Sequence, residues 1–481
     1  MNTKMVRYIL CRMLGVEAAL LLVPVLVAVI YQEKCGIVFL IPIGILCLLF
    51  WVAGRKRPEY GQIYGKEGMV IVALAWILWS LFGAMPFTLS GYIPSYVDAF
   101  FETVSGFTTT GSSIIPDVEV LPHCLLFWRS FTHWIGGMGV LVFVLVVTSL
   151  DRKNSMYLMR AEVPGPEKDK LVPKAMSTAR ILYGMYLILT VIEMVFLVIG
   201  GMNLFDSMIF SFGSAGTGGF SNYADSVAHF NSAYIDGVIT VFCALFGVNF
   251  ALFYFMILGD FKSILKNEEL RTYILLIAGA TAAIMLNIHS LYPTIGKSFR
   301  YAIFQVVTVI TTTGYSTADF AQWPMFSKAV IMMLTVVGAC ASSTGGGIKV
   351  SRLLVGMKCV KREIVQLAHP KSVGIIRIGG KKVSSDVLRT IYIYFIAYVG
   401  ILIGSVLLVS LDNFDFETTF SAVLTTLGNV GPGMAKVGPM GNFAEFSPFS
   451  KLILCFDMLA GRLEIFPFLV LFTAPAWRRK F

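Results

Sequence analysis

The sequence predicts an all-α polytopic membrane protein in which four pseudo-symmetric repeats of span, half-helix, loop and span surround one ion pore, with two extra spans ahead of them. Three observations carry that expectation. The 481-residue chain is 57% hydrophobic and only 14% charged, against roughly 25% charged in an average soluble protein. Its apolar residues come in stretches of about 20, the length a helix needs to cross a hydrocarbon core of roughly 30 Å. Four shorter apolar segments, each ending in a glycine motif, recur between the long ones.

Windowed hydropathy places the first two spans at 8–31 and 36–53, within a leading unit of residues 1–66. The first is read as structure and not as a cleaved leader: it is long, keeps Arg7 and Arg12, and runs into the second without an Ala-x-Ala pattern. Repeat one (67–150) has spans at 68–90 and 123–150, repeat two (177–260) at 178–201 and 232–258, and repeat three (268–360) at 270–290 and 326–358. A cytoplasmic segment, 361–385, leads to repeat four (386–477), with spans at 387–410 and 448–475. With the first residues on the cytoplasmic side, the loops on that side hold 28 of the 38 Lys and Arg residues, as the positive-inside rule expects. The net charge of +10 is therefore topology, and no nucleic acid is needed to explain it. The basic 351–390 stretch reads either as solvated and lipid-facing or as a docking surface for a cytosolic partner. The eight cysteines are scattered through apolar runs without a Cys-x-x-Cys pair, which argues for packing and against disulfides or metal.

The short segments 97–110, 204–217, 299–313 and 415–430 are apolar but cannot cross a bilayer, so they read as re-entrant half-helices, each followed by a loop. The loops contain Thr108-Thr109-Thr110-Gly111, Thr217-Gly218-Gly219-Phe220, Thr311-Thr312-Thr313-Gly314 and Asn429-Val430-Gly431-Pro432. Residues 101–113 and 304–316 agree at seven of thirteen positions, an internal repeat. Irregular backbone at membrane depth must be buried in protein or line a water-filled cavity. Glycine permits φ values that turn successive carbonyls to one side, and a ring of carbonyls replaces the hydration shell of a monovalent cation. The candidate filter is Thr109, Thr110, Gly111, Gly218, Gly219, Thr312, Thr313, Gly314, Asn429, Val430 and Gly431, with Gly219 preferred over Gly218 as the ring residue of repeat two. Asp98, Asp206, Ser298 and Asp415 are expected to cap the half-helices.

Few charges lie at depth. Arg462 stands between Asp457 and Glu464, so it is either one arm of a buried ion pair or a positive barrier in the pore. Lys349 faces a similar choice between lipid phosphate and the pore. Arg129 is expected to snorkel or to pair with Glu102; Glu193, Asp236 and Asp260 read as solvated or capping acids at helix ends. The glycine-rich run 338–349 interrupts an apolar stretch, and its Gly345, Gly346 and Gly347 read as a hinge. It is no phosphate loop, because Ile348 separates the last glycine from Lys349. The five histidines have no metal-ligand spacing, and no Ser–Lys or His–acid pair converges at depth, which argues against an intramembrane enzyme. A sodium- or proton-coupled carrier is the other rival to a gated channel, and a carrier would place a titratable carboxylate at the midplane.

With these residues in view the sequence resembles the Trk/Ktr/HKT superfamily of potassium transporters, and most closely its TrkH branch. The resemblance rests on the four loops, on the run from Trp128 through Gly136-Gly137-Met138-Gly139, and on the run from Gly338 through Gly345-Gly346-Gly347-Ile348-Lys349; it covers almost the whole chain. It implies potassium as the transported ion, held at Thr110, Gly111, Gly219, Thr313, Gly314, Val430 and Gly431, since glycine in all four loops goes with potassium preference. It also implies gating by the 338–349 loop with Lys349 and Arg462, a homodimer with one pore per protomer, and a cytosolic ring of nucleotide-binding, TrkA-like regulatory subunits. The chain itself is expected to bind no cofactor. The implied location is the bacterial cytoplasmic (inner) membrane, with both termini in the cytoplasm.

Overall fold

The computed structural model describes residues 1–56, 58, 64–139, 175–372 and 374–477. In lipid a backbone group has no water to bond, so the apolar stretches close their hydrogen bonds within helices. The two leading spans form a helical pair, Thr3–Ile30 and Lys34–Gly54. Glu33, in the link between them, reaches across to repeat one and accepts from the backbone N–H groups of His123 (2.7 Å) and Cys124 (3.0 Å). Those groups open the helix His123–Gly137 directly after Pro122, which makes no side-chain cap of its own, so the cap arrives from a distant segment. Stacking of Tyr31 on His123 at 4.0 Å adds to the attachment of the leading pair.

The first spans of the four repeats are Gly65–Leu89, Arg180–Ile199, Glu268–Leu291 and Ser385–Asp412. After each comes a short re-entrant helix: Tyr96–Phe107, Leu204–Gly216, Ile295–Ile310 and Phe416–Gly428. These four pore helices are the most enclosed part of the molecule. In the first, every side chain from Phe101 to Phe107 is buried, packed with Trp79 (5.6 Å from Phe107) and Trp128 (6.0 Å) in edge-on geometry. The Trp128 indole donates to the Gly83 carbonyl at 3.0 Å, as a buried ring N–H requires.

The second spans of repeats one, two and four depart from the expectation of continuous helices, and that of repeat three stops at Val337, where the glycine-rich run begins. They run as His123–Gly137, Ala233–Phe246, Met325–Val337 and Pro448–Arg462, each 13 to 15 residues long, and each then stops. A left-handed Gly139 follows the first. In repeat two Asn249 caps a new helix, Phe250–Ile257, that departs at 93°. The third ends at the left-handed Gly338, and the fourth at Glu464 and Ile465, both with positive φ. Outside the glycine-rich run of repeat three, hydropathy reads a composition that stays apolar through these breaks, and so overlooks them. Among the described residues six helices are long and apolar enough to cross a membrane, seven if the bent pair is one span. Residues 140–150 of the expected second span of repeat one, residues 151–174 of the expected 151–180 loop and the basic Arg478, Arg479 and Lys480 lie outside the described residues.

Beyond the third break the helix Val350–Ala368 leads to a two-stranded hairpin, Arg377–Ile378 against Lys381–Lys382. Gly379 and Gly380 both take positive φ, the pattern of a tight two-residue hairpin turn. This hairpin is a small addition to an otherwise helical fold.

Candidate functional site

The caps of the four pore helices are Ser95, Asn203, Thr294 and Asp415, whose side chains accept from the N–H groups of Asp98, Asp206, Lys297 and Thr418. Only Asp415 among the four expected caps holds that place. Its carboxyl takes both the hydroxyl and the N–H of Thr418, and these bonds hold it below the usual carboxylate range. Asp98 and Asp206 stand in the first helical turn, where negative charge also suits the helix dipole. Asp98 is ion-paired to Lys451 at 2.6 Å, and Asp206 accepts from Asn203 and Tyr223. The Ser298 hydroxyl bonds back to the Thr294 carbonyl. Counted from the true caps, three loops place their glycine sixteen residues on, and repeat three is one helical turn longer.

Each pore helix then ends in the same turn. The residues two before the glycines, Thr109, Thr217, Thr312 and Asn429, have φ of 55°, 56°, 59° and 54°. Their N–H groups bond three residues back, and the N–H groups of Thr110, Gly218, Thr313 and Val430 bond five residues back, to Ser105, Gly213, Thr308 and Thr425. That is the Schellman closure, which ordinarily puts glycine or asparagine at the left-handed position. Three threonines occupy it here, at a strain of order 1–3 kcal/mol each. The glycines follow as a second left-handed residue, with φ of 85°, 77°, 80° and 97° at Gly111, Gly219, Gly314 and Gly431. Gly219 is thus the equivalent of the other three. Gly218 is small for another reason: a Cβ there would run into the His133 ring.

The four turns meet head to tail. A Cβ added to Gly111 would strike the carbonyl oxygen of Gly218, one on Gly219 that of Thr313, one on Gly314 that of Val430, and one on Gly431 that of Thr110. Each glycine therefore abuts the carbonyl that precedes the glycine of the next repeat, and the sequence of contacts closes after four. All four glycines line one outward cavity of about 120 Å³. Side chains tie the turns together: Asn429 donates to Thr110 Oγ1 (3.0 Å) and to the Met458 carbonyl (2.9 Å), and Ser112 donates to the Gly431 carbonyl (3.2 Å).

Behind the ring, Arg129 and Glu102 form a buried pair at 2.6 Å. The same guanidinium donates to the Ser221 carbonyl and lies 3.6 Å over the Phe220 ring, while Glu102 accepts from Ser113 and the Ile114 N–H. One charge pair thus holds the loops of repeats one and two. Tyr315 extends the pattern, donating to the Phe210 carbonyl at 3.0 Å. Two of the acids expected to be solvated or to cap helix ends are buried: Glu193 lies inside the long helix Ala175–Ile199, and Asp236 is held by Arg300 at 2.6 Å. Asp260 does cap a helix end, accepting from Ser263. An acid in the first turn of an apolar helix, as Asp236 is, carries no mark of the basic partner that a different repeat supplies.

Under the ring lies the 338–349 segment. Gly346 donates to Thr312 Oγ1 at 2.6 Å. A Cβ on Gly345 would press on the Thr311 carbonyl, and one on Gly346 on the Gly428 carbonyl. Arg462 donates to the carbonyls of Thr344 (2.8 Å), Gly137 (3.0 Å) and Gly136. Asp457 is bonded to Ser405, and Glu464 is paired with Arg352 at 2.6 Å. Lys349 is buried, with its ammonium on the Gly345 carbonyl, away from lipid. Glu269, which the sequence does not single out, accepts from the N–H of Ala341 (2.7 Å) within the segment and of Ser351 (3.2 Å) just beyond it. Cys340 donates to the Gly247 carbonyl and Phe250 to that of Ser342, which ties the segment to the bend of repeat two. Thr217 is likewise absent from the candidate filter; aligning the four loops on their glycines finds it.

These features define a multi-pass helical membrane protein whose four re-entrant loops converge on one centre. A family profile described as "Cation transport protein" (TrkH) matches residues 43–478. The chain is 36% identical over 469 residues to the "Trk system potassium uptake protein TrkH" of Escherichia coli K12, covering 95% of this chain and 96% of that one. It is 33% identical over 486 residues to the "Trk system potassium uptake protein TrkG" of the same strain, covering 99% and 100%. The crystal structure of the potassium transporter TrkH from Vibrio parahaemolyticus superposes with a TM-score of 0.89 at 31% identity, over 99% of this chain and 100% of that one. The chain belongs to the TrkH family of cation transport proteins, which are transporters and not enzymes.

Because the Arg129–Glu102 pair is buried, removing one partner strands the other. Arg129→Met is expected to cost about 3–5 kcal/mol of stability, and Arg129→Met with Glu102→Met distinctly less, read as unfolding in detergent against denaturant. Equal losses in the single and double variants would sink the assignment.

Proposed function

We propose that this chain is the membrane subunit of a potassium uptake system, in which potassium passes in through the ring at Gly111, Gly219, Gly314 and Gly431. The observation that carries the reading is the closed sequence of carbonyl-to-glycine contacts between the four loops. Carbonyls of Thr110, Gly218, Thr313 and Val430, together with those of the glycines, supply oxygen in place of the ion's hydration shell. The C-terminal ends of the four pore helices add partial negative charge. Potassium as the ion is supported by the function for which the relatives are named. The repeats behave as units close to 67–150, 177–260, 268–360 and 386–477.

The 338–349 segment is the gate. It obstructs the inner half of the pore, with Arg462 and Lys349 as positive charges that a passing cation meets. At an effective dielectric constant near 20, a unit charge about 5 Å away opposes a cation by roughly 3 kcal/mol. A cytosolic, nucleotide-binding regulatory ring acts on the helix Val350–Ala368 and the hairpin beyond it and withdraws the segment. The protein works as a homodimer with a pore in each protomer, in the bacterial cytoplasmic membrane with both termini inside.

Serine at any one of the four filter glycines is expected to lower the potassium-to-sodium permeability ratio at least about tenfold, since its Cβ displaces a carbonyl of the next repeat. Flux through liposomes under each cation gradient measures this, and unchanged ratios in all four variants would refute the filter. Arg462→Ala should raise basal potassium flux with selectivity intact; if it yields no folded protein instead, the guanidinium is a structural staple between repeats and not a barrier. Deleting 342–347, or the milder Glu269→Ala, should make a leak that still prefers potassium. A folded deletion variant with parental flux would show that the segment is not the gate.

A further inference from the structure

The leading helical pair has no part in the ring or the segment below it, yet it carries a site of its own. The start of the span Thr3–Ile30 and the end of the span Lys34–Gly54 lie on one membrane face. Between them opens a cavity of about 760 Å³, lined by Lys4, Arg7, Arg55 and Lys56 with Tyr8 and Trp51, and by no carboxylate among the described residues. Four cations converge on one pocket at a place where simple topology asks only for cations somewhere on that side.

Local geometry accounts for the convergence. The second span ends in a π-helical turn, Phe50–Gly54, a form whose wider turn is found mostly at functional sites. Gly54 lets that turn sit against the opposite helix, since a Cβ there would press on the backbone of Cys11 and Arg12. The close approach carries Arg55 and Lys56 toward Lys4 and Arg7. On the pocket wall Tyr8 is buried and its hydroxyl accepts from Arg12 at 2.9 Å. Trp51 and Val52, by contrast, are 64% and 69% exposed on the side wall, at the level where a span leaves the hydrocarbon.

We propose that this pocket binds the phosphodiester headgroup of an anionic membrane phospholipid, with the guanidinium groups of Arg7 and Arg55 and the ammonium groups of Lys4 and Lys56 around the phosphate oxygens, and the acyl chains running down past Trp51 and Val52. The charge selects a phosphate that carries net negative charge over a zwitterionic headgroup, and Arg supplies the bidentate geometry phosphate prefers. The exposed apolar wall distinguishes a lipid from a soluble phosphate, which would gain nothing from Trp51.

The test is native mass spectrometry of the full chain released from detergent, with phosphatidylglycerol and phosphatidylcholine of identical acyl chains. The parent is expected to retain phosphatidylglycerol at least about tenfold better than phosphatidylcholine. Arg7→Gln with Arg55→Gln should weaken that retention roughly 30-fold, taking each interfacial cation at about 1 kcal/mol. The control pair Lys371→Gln with Arg389→Gln, exposed basic residues elsewhere, should leave it unchanged. Lys4→Gln with Lys56→Gln provides a second reading if the arginine variant elutes as misfolded protein. Equal retention of the two lipids, or equal losses in pocket and control variants, would overturn the proposal. Displacement of the lipid by millimolar inorganic phosphate would overturn the lipid assignment in favour of a soluble anion.

Discussion

A peptide carbonyl that leaves its helix at membrane depth has to be met by protein or by a ligand, and this constraint organises the molecule around four turns that lie against one another. In each turn a left-handed residue, an ordinary one and a left-handed glycine come in order, so the chain reverses within three residues. The reversal brings each glycine so close to a carbonyl of the next repeat that no side chain fits. Everything nearby serves to keep that contact closed. The Schellman bonds stop each helix at a fixed point, Arg129 and Glu102 lock the loops of repeats one and two, and Asn429 bridges repeat four to repeat one. Strain at three left-handed threonines is sustainable because each turn is held from several sides.

The outer half of the molecule is thus close to fourfold, and the inner half is not. All four second spans stop at the level below the turns, but in the three repeats whose described residues continue past the break the chain takes a different course: a bend in repeat two, a glycine-rich segment in repeat three, a reversal at Glu464 and Ile465 in repeat four. Symmetry suits a task in which equivalent oxygens surround one ion. Asymmetry suits a task in which one element moves against fixed neighbours. Glu269 belongs to the second kind, since a single carboxylate takes the N–H of Ala341 within the 338–349 segment and that of Ser351 just beyond it; the grip is local and made by one side chain.

The fourfold plan was legible because glycine at a recurring position is a direct statement about φ, and because a short apolar stretch cannot span a bilayer. The glycines of the loops, the pore helices and the leading pair all follow from those two facts. The left-handed threonines were not legible: β-branched residues avoid that region, so a sequence argument assigns the whole turn to the glycine two places later. The glycine-rich run showed where the second span of repeat three is interrupted, but the breaks in the other second spans were hidden by unchanged composition. The carbonyl acceptors of Arg462 were hidden for a topological reason, since they stand 118 and more than 300 residues away.

The carbonyl acceptors of Arg462 bear on what it can do. The carbonyls of Thr344, Gly136 and Gly137 that accept from it are partners that a displaced segment can give up singly. Thr344 belongs to the 338–349 segment itself, so withdrawing that segment removes one acceptor while the two on repeat one remain. On the proposed reading the arginine is therefore coupled to the gate by one hydrogen bond and anchored to the scaffold by the others, and opening changes the barrier and the obstruction together, as a single event.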